Sequence, residues 1–122
     1  MNLTRHFTIE EMSCPCCHVC LMDPIFMDHL EALRARVNHP LRITSGYRCA
    51  AHNAACGGAE NSAHCLGKAV DISIAGPDAA ILLVTAINSG FSGFGIRQHG
   101  SLSGRYLHID IAHAEISLWT YS

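Results

Sequence analysis

The chain has 122 residues, of which 49% are hydrophobic and 15% are charged, and its net charge is −2 with histidine neutral. This is the composition of a compact globular protein rather than a disordered one, and the length predicts one domain over residues 1–122. The lysines and arginines do not cluster and no apolar run is long enough to cross a bilayer, which argues against nucleic acid and membranes as partners.

A short helix and a cysteine-rich segment come first along the chain. Thr8 to Glu11 has the S/T-x-x-E form of a capping box, which predicts that a helix begins there. Four of the seven cysteines follow in the run Cys14-Pro15-Cys16-Cys17-His18-Val19-Cys20, which contains the spacing C-x-x-C twice. This spacing is typical of thiolate metal sites and of redox pairs.

The cysteines allow two structural interpretations. Cys14, Cys17 and Cys20, joined by Cys49, are candidates for a structural zinc site. A disulfide such as Cys14 to Cys49 is the competing interpretation for an oxidising compartment. The N-terminus shows neither the apolar region nor the cleavage site of a signal peptide, so we expect synthesis in the cytoplasm and reduced thiols.

The rest of the chain alternates helical and extended patterns. Asp23-Pro24 supplies an N-cap and a first-turn proline, and Pro77-Asp78 opens a second long helix. The predicted elements are a helix from 24 to about 37, a strand over 41–45, a helical turn near 51–55, a strand over 69–74, a helix from 77 to 88, and a hairpin of strands over 94–98 and 106–111. We therefore predict an α+β domain with a small, mainly antiparallel sheet flanked by helices.

Three residues form a candidate metal site. His64 and Asp71 are seven residues apart, the first in an irregular segment and the second in the following strand. His108 lies in a later strand, where it shares one face with Asp110 while the apolar neighbours share the other. Catalytic zinc takes three such ligands and an open position. Taken alone, the spacing also fits a surface histidine beside a capping aspartate.

The surrounding motifs carry a family resemblance. The chain contains Ser45-Gly46-Tyr47-Arg48, then Ser62-Ala63-His64-Cys65-Leu66-Gly67-Lys68-Ala69-Val70-Asp71, then His108-Ile109-Asp110. In this order the motifs resemble the zinc D-Ala-D-Ala carboxypeptidase family, which includes vancomycin-resistance dipeptidases, phage endolysins and the hedgehog signalling domain. The resemblance covers about residues 7–119 and is similar to the compact carboxypeptidase branch in particular.

The resemblance implies roles for individual residues. His64, Asp71 and His108 would bind zinc, which activates water and polarises the scissile carbonyl. Arg48 matches an arginine that holds a substrate oxygen and steadies the oxyanion. Ser62 matches a serine that contacts substrate, although a simple turn residue is an equal alternative.

The general base is less well defined by the resemblance. Several members of the family have an acid three residues before the last histidine ligand, and Arg105 occupies that position. Asp110 is the nearest alternative carboxylate, either as the base or as a partner that orients His108. His99 is a second candidate for the base. Trp119 is expected either to line the cleft or to anchor the core.

The resemblance implies zinc-dependent hydrolysis of a peptide bond in bacterial peptidoglycan stem peptides, as a carboxypeptidase or an endopeptidase. We expect a monomer of phage or prophage origin that acts at the cell wall or in the periplasm once released. Because Arg105 replaces an acid, a zinc-containing module that binds wall peptides with little turnover is the alternative. A thiol-based redox or structural zinc protein is a third possibility.

Overall fold

The computed structural model describes residues 1–59 and 61–121, so that Glu60 of the glycine-rich segment before His64 lies outside the described residues. The fold is α+β, as predicted. Its helices are α1 (Ile9–Met12), α2 (Pro24–Val37), α3 (Ala50–Ala55) and α4 (Gly76–Ile87). Its strands are β1 (Arg42–Ser45), β2 (Ala69–Ser73), β3 (Gly93–Arg97), β4 (Tyr106–Asp110) and β5 (Ser117–Thr120).

The helix ends follow the local sequence signals. Thr8 and Glu11 form the predicted capping box at the start of α1. At the start of α2 the Asp23 carboxylate accepts the backbone N–H of Ile25, and at its end Asn38 adopts the left-handed conformation. These caps satisfy backbone groups that the short helices would otherwise leave without partners.

One apolar core lies between the sheet and helices α2 and α4. Phe26, in the first turn of α2, packs edge-on against Phe91 with the ring centroids 5.9 Å apart. The fully buried members also include side chains from α2, β2, α4, β3 and β4, namely Leu30, Leu33, Val70, Ile72, Leu82, Phe94, Leu107 and Ile109. The helices therefore cover one face of the sheet and leave the other face for polar residues.

The sheet has the strand order β1-β2-β4-β3-β5. Its first four strands pair antiparallel, and β5 pairs with β3 in parallel. The hairpin of β3 and β4 is confirmed, whereas β5 was not predicted. β5 is an edge strand in which the apolar residues Leu118 and Trp119 are adjacent, so its sequence lacks the alternation that predicts a half-buried strand.

A single row of residues crosses the sheet on its polar face. Asp71 lies opposite Ser45 on one side and opposite His108 on the other. The row continues through Gly95 of β3 to Trp119 of β5. Since residues in such a row have side chains within reach of one another, the register itself assembles a polar site at the centre of the sheet.

Within the part of the chain that the structure describes, no helix combines the length and the apolar character needed to span a membrane.

Candidate metal centre

Three buried side chains meet at the centre of the polar face. His64 comes from a 3-10 turn at Ala63–Leu66, Asp71 from β2 and His108 from β4. The Oδ1 atom of Asp71 lies 3.2 Å from Nε2 of His64 and 3.1 Å from Nδ1 of His108. The two ring nitrogens are themselves 3.2 Å apart. The structure therefore brings the three predicted metal ligands together.

The hydrogen bond made by the outer nitrogen of each ring determines which of its two nitrogens carries the hydrogen. Nδ1 of His64 donates to the backbone carbonyl of Gly46 at 2.7 Å, and Nε2 of His108 donates to Oδ2 of Asp110 at 2.7 Å. These oxygens can only accept, so a neutral imidazole has no hydrogen left on the inward nitrogen. Two lone pairs and a carboxylate oxygen then converge with no hydrogen between them. Such a donor set fits a cation, and two imidazoles with one carboxylate are a typical set of catalytic zinc ligands.

The charges at the centre favour a cation as well. Burial raises the pKa of Asp71, but hydrogen bonds with His108 and His64 lower the pKa by more, so the net shift is downward. Burial lowers the pKa of His108, but hydrogen bonds to Asp110 and Asp71 outweigh it and the net shift is upward. A proton and a metal ion therefore compete for the same place beside the Asp71 carboxylate.

Ser62 and the turn that follows it place the first ligand. The Ser62 hydroxyl accepts the backbone N–H of His64 at 3.2 Å and so caps the 3-10 turn. The carbonyl of His64 accepts the backbone N–H of Arg48 at 3.2 Å, which ties this turn to the segment after β1. Ser62 also lines the cavity in front of the centre. It therefore has a local structural role and remains within reach of a ligand in the cavity.

The Arg48 guanidinium lies directly beside the centre. Its Nη2 donates to Oδ2 of Asp71 at 3.1 Å, and its Nε donates to the Ser45 hydroxyl at 3.0 Å. The Arg48 side chain is only 15% exposed, so this ion pair is shielded from water. Arg48 thus binds Oδ2 of Asp71, the oxygen that does not contact His64 or His108. It also presents positive charge to the cavity.

Asp110 lies behind His108. Its side chain is fully buried, with Oδ2 on His108 and Oδ1 accepting from Nδ1 of His113 at 2.8 Å and from the backbone N–H of Ala112 at 3.0 Å. Burial raises the pKa of Asp110, but these hydrogen bonds lower it by more. The carboxylate packs over Gly93 of β3, where a Cβ atom would collide with it. A glycine at this position is therefore needed to admit Asp110.

His113 is a site residue that the sequence analysis missed. It lies just after β4, its ring is 38% exposed at the rim of the cavity, and it packs on Trp119 with centroids 5.3 Å apart. Trp119 also packs on His108, with centroids 5.2 Å apart. Of the two roles expected for Trp119, the cleft-lining role is confirmed. A histidine three residues after a buried aspartate was the one signal for His113, and it is too common to identify a site.

Two other residues considered in the sequence lie away from the centre. Nε2 of His99 donates to the carbonyl of Tyr121 at 3.0 Å, and Arg105 donates to the carbonyl of Gly100 at 2.9 Å. Neither lines the cavity that contains the three ligands. In the structure, therefore, neither of them lies at the centre.

The cavity in front of the centre has a volume of about 450 Å³. Its lining combines aromatic residues with a run of small residues. Burial raises the pKa of Tyr121 to about 12, so this phenol stays protonated near neutral pH. Besides the candidate ligands and their partners, the cavity is lined by Cys56, Gly57, Gly58, Ala59, Asn61, Ser62, Ala63, Tyr106, Trp119 and Tyr121.

The cysteines considered as a second site are only partly brought together. Cys14, Cys17 and Cys49 form a group whose sulfur atoms all lie within 4.8 Å of one another. Cys20 does not belong to this group, although it also has C-x-x-C spacing to Cys17. No cysteine is in a disulfide among the described residues.

Comparison with known protein families gave a match. A family model described as Peptidase M15 matches residues 5–110, which is most of the chain and includes the three ligands, Arg48 and Asp110. No curated protein matches the chain.

Proposed function

The chain belongs to the peptidase M15 family of metallopeptidases, and from this membership we propose that it hydrolyses a peptide bond of bacterial peptidoglycan stem peptides with zinc as its metal. The observation that carries the proposal is the convergence of His64, Asp71 and His108 at the base of an open cavity, each with a lone pair facing inward. Two imidazoles and one carboxylate favour zinc over calcium or magnesium, which prefer oxygen ligands alone.

When bound there, zinc would polarise a peptide carbonyl and lower the pKa of a water molecule toward neutrality. The residues of the chain provide the rest of the chemistry. Arg48 holds Oδ2 of Asp71 at 3.1 Å, which keeps Oδ1 directed at the histidines. Its fixed positive charge at the cavity wall is suited to stabilising the negative charge that develops on a carbonyl oxygen under attack.

We assign the proton-transfer step to His113 and a positioning role to Asp110. Both oxygens of Asp110 accept N–H groups, one of them from His108, so neither is directed into the cavity. When Nδ1 of His113 donates to Asp110, the lone pair of its ring lies on Nε2. His113 lines the cavity and can take a proton from the attacking water there, then pass it to the leaving amine.

The cavity supports a short peptide substrate. Arg48 is the one Arg or Lys among the described residues that line the cavity, and it would pair with a carboxylate or a carbonyl oxygen of the ligand. The small residues around Gly57 and Ser62 leave room for an extended backbone, and Trp119 offers an apolar surface for side-chain methyl groups. A stem peptide, which is short and rich in alanine, fits these features. We propose that the protein acts on it at the cell wall.

A binding module with little turnover is the second candidate. The observation that favours it is that, among the described residues lining the cavity, the carboxylates are Asp71 and Asp110, and both are already engaged. If His113 does not transfer protons, the site would hold a peptide and fail to cleave it.

The test uses two substrates, a stem pentapeptide ending in D-Ala-D-Ala and a cross-linked muropeptide dimer, with products identified by mass spectrometry. Release of D-alanine would identify a carboxypeptidase, and separation of the dimer would identify an endopeptidase. We expect cleavage to stop after chelation, to return with zinc, and to be lost in His108→Ala. His39→Ala, which alters a half-buried histidine that does not line the cavity, is the control.

Binding of either substrate without cleavage would support the module instead. Neither binding nor cleavage by the zinc-loaded protein would overturn the proposal of a wall-peptide substrate.

A further inference from the structure

Three cysteines lie together, and one of them, Cys49, directly follows Arg48 in the sequence. Cys14 follows α1, Cys17 is three residues later, and Cys49 is the N-cap of α3. Their sulfur atoms are mutually within 4.8 Å, and those of Cys14 and Cys49 are 3.6 Å apart. We propose that Cys14, Cys17 and Cys49 bind a second zinc ion, with a structural role. This inference does not depend on the proposed peptidase activity.

The spacing of the sulfur atoms fits a shared metal. Thiolates bind zinc at about 2.3 Å in tetrahedral geometry, which places two of them roughly 3.8 Å apart. The separation of 3.6 Å between Cys14 and Cys49 is close to this value. Because a third sulfur lies within the same radius, the arrangement is better suited to one ion than to a single pairwise bond, which would leave Cys17 without a role.

The backbone around the sulfurs favours thiolates. The Cys14 sulfur is buried and accepts the backbone N–H of Cys49 at 3.5 Å, as well as those of Cys16 and Cys17. The Cys49 sulfur accepts the backbone N–H of His52 at 3.4 Å, where it caps α3. Burial raises the pKa of Cys14, but the N–H groups bring it down to about 6. A buried thiolate needs a cation nearby.

The local turn explains how one C-x-x-C pair reaches one ion. The carbonyl of Cys14 accepts the backbone N–H of His18 at 2.7 Å. The backbone N–H of Cys14 donates to the carbonyl of Val19 at 2.8 Å. His18 has a positive φ of 61°, which closes the turn. The chain therefore folds back on itself directly after Cys17, so that its sulfur and that of Cys14 face the same side.

Cys16 is the candidate for the fourth ligand. Its thiol is exposed and interacts with the sulfur of Cys49. Cys16 is therefore our assignment for the fourth position in the tetrahedron. Cys20 packs against the hydrophobic core instead, which makes it a matched control from the same segment.

A metal at this position would fix the segment that leads to Arg48. Tyr47 donates its backbone N–H to the carbonyl of Met12 at 3.1 Å, and Cys49 donates its own to Cys14. Zinc would add a metal cross-link between the same two segments, the one after α1 and the one before α3. Since the segment is otherwise irregular, the ion would supply order that local secondary structure does not.

The experiment measures zinc content in the full chain, purified with reductant and freed of loose metal. We expect about two zinc ions per chain in the wild type, and about one in either Cys17→Ser or His108→Ala. Cys20→Ala should keep both ions. Cobalt loaded into the second site of His108→Ala should give the near-ultraviolet absorption of thiolate-bound cobalt, and that band should disappear in the double variant with Cys17→Ser.

A thiol titration of the unmutated chain covers the case in which Cys17→Ser fails to fold. Bound zinc should protect about four of the seven cysteines, and a chelator should expose them. One zinc per chain, with no chelator-dependent protection, would overturn the proposal. The proposal would also be overturned if protein purified without reductant were folded, held one zinc ion and contained a Cys14–Cys49 disulfide by peptide mass spectrometry.

Discussion

Nε2 of His108 lies 2.7 Å from Oδ2 of the fully buried Asp110, on the side of the ring opposite Asp71. This hydrogen bond holds the proton on Nε2 and leaves Nδ1 free to bind a metal. Since Asp110 contacts the candidate ligand His108 directly, a change at Asp110 should act on metal binding.

Asp110→Asn should therefore weaken zinc binding. A carboxamide has one acceptor oxygen where the carboxylate accepts three N–H groups, so the orientation of His108 should loosen and zinc affinity should fall about 10–100-fold. Competition with a chromogenic chelator measures the affinity, and Asp28→Asn on the exposed side of α2 is the control. Unchanged zinc affinity with lost turnover would instead make Asp110 the general base.

His113→Gln should lower turnover and leave the metal in place. Gln can still donate to Asp110 but cannot take up a proton, so kcat should fall about 10²–10⁴-fold and the limb of the pH profile that reports the base should disappear. Zinc content should match the wild type. A pH profile with the same shape and a kcat within a factor of about two would exclude His113 as the proton acceptor.

Gly95→Ala should disturb the aromatic wall of the cavity. A Cβ atom on Gly95 would lie 2.6 Å from Nε1 of Trp119 and from the ring of Tyr121, so both side chains would have to move. We expect KM to rise, because Trp119 and Tyr121 line the cavity in which the substrate would bind. In Gly104→Ala the nearest atom, the Ser101 hydroxyl, is 3.6 Å away, and KM should not change. Equal KM values for Gly95→Ala and Gly104→Ala would contradict the assignment of Trp119 and Tyr121 to the substrate-binding wall.

Glu31 should make stability depend on pH. Its carboxylate in α2 accepts from the backbone N–H of His6 at 2.7 Å and from the Thr4 hydroxyl at 3.1 Å. Burial raises the pKa of Glu31, but hydrogen bonds from His6 and Thr4 lower it by more. The folded-state pKa is thus below the unfolded one, so this stabilisation is complete above the unfolded pKa of about 4.3 and is lost as pH falls through the folded pKa.

Glu31→Gln should accordingly lower the free energy of unfolding by roughly 1 kcal/mol at neutral pH and by progressively less toward about pH 3. Urea unfolding of both proteins across that range measures the difference. Glu115→Gln, which changes an exposed carboxylate, should show no such trend. A difference between Glu31→Gln and the wild type that stays constant with pH would contradict the electrostatic origin.

The candidate metal ligands could be predicted because each of them lies in a short sequence motif. His64 and Asp71 belong to one short motif. In β4 the apolar and polar residues alternate, which places His108 on the polar face of the strand. The helices α2 and α4 were predictable for the same reason, since their caps and prolines are adjacent in sequence.

His113 and β5 could not be predicted because their signals come from tertiary structure. The role of His113 depends on Asp110 being buried between two histidines, which follows from the space above Gly93. β5 exists because β3 offers an edge to it, while its own residues remain half exposed. The grouping of Cys17 with Cys49 rather than with Cys20 likewise depends on where α3 begins.

Anomalous diffraction at the zinc edge from crystals of the active protein tests the central claim most directly. We predict a peak about 2.0–2.2 Å from Nε2 of His64, Oδ1 of Asp71 and Nδ1 of His108, facing the cavity. Its height should fall to background in crystals of His108→Ala. Active, zinc-dependent protein whose crystals show no anomalous peak among these three atoms would contradict the account.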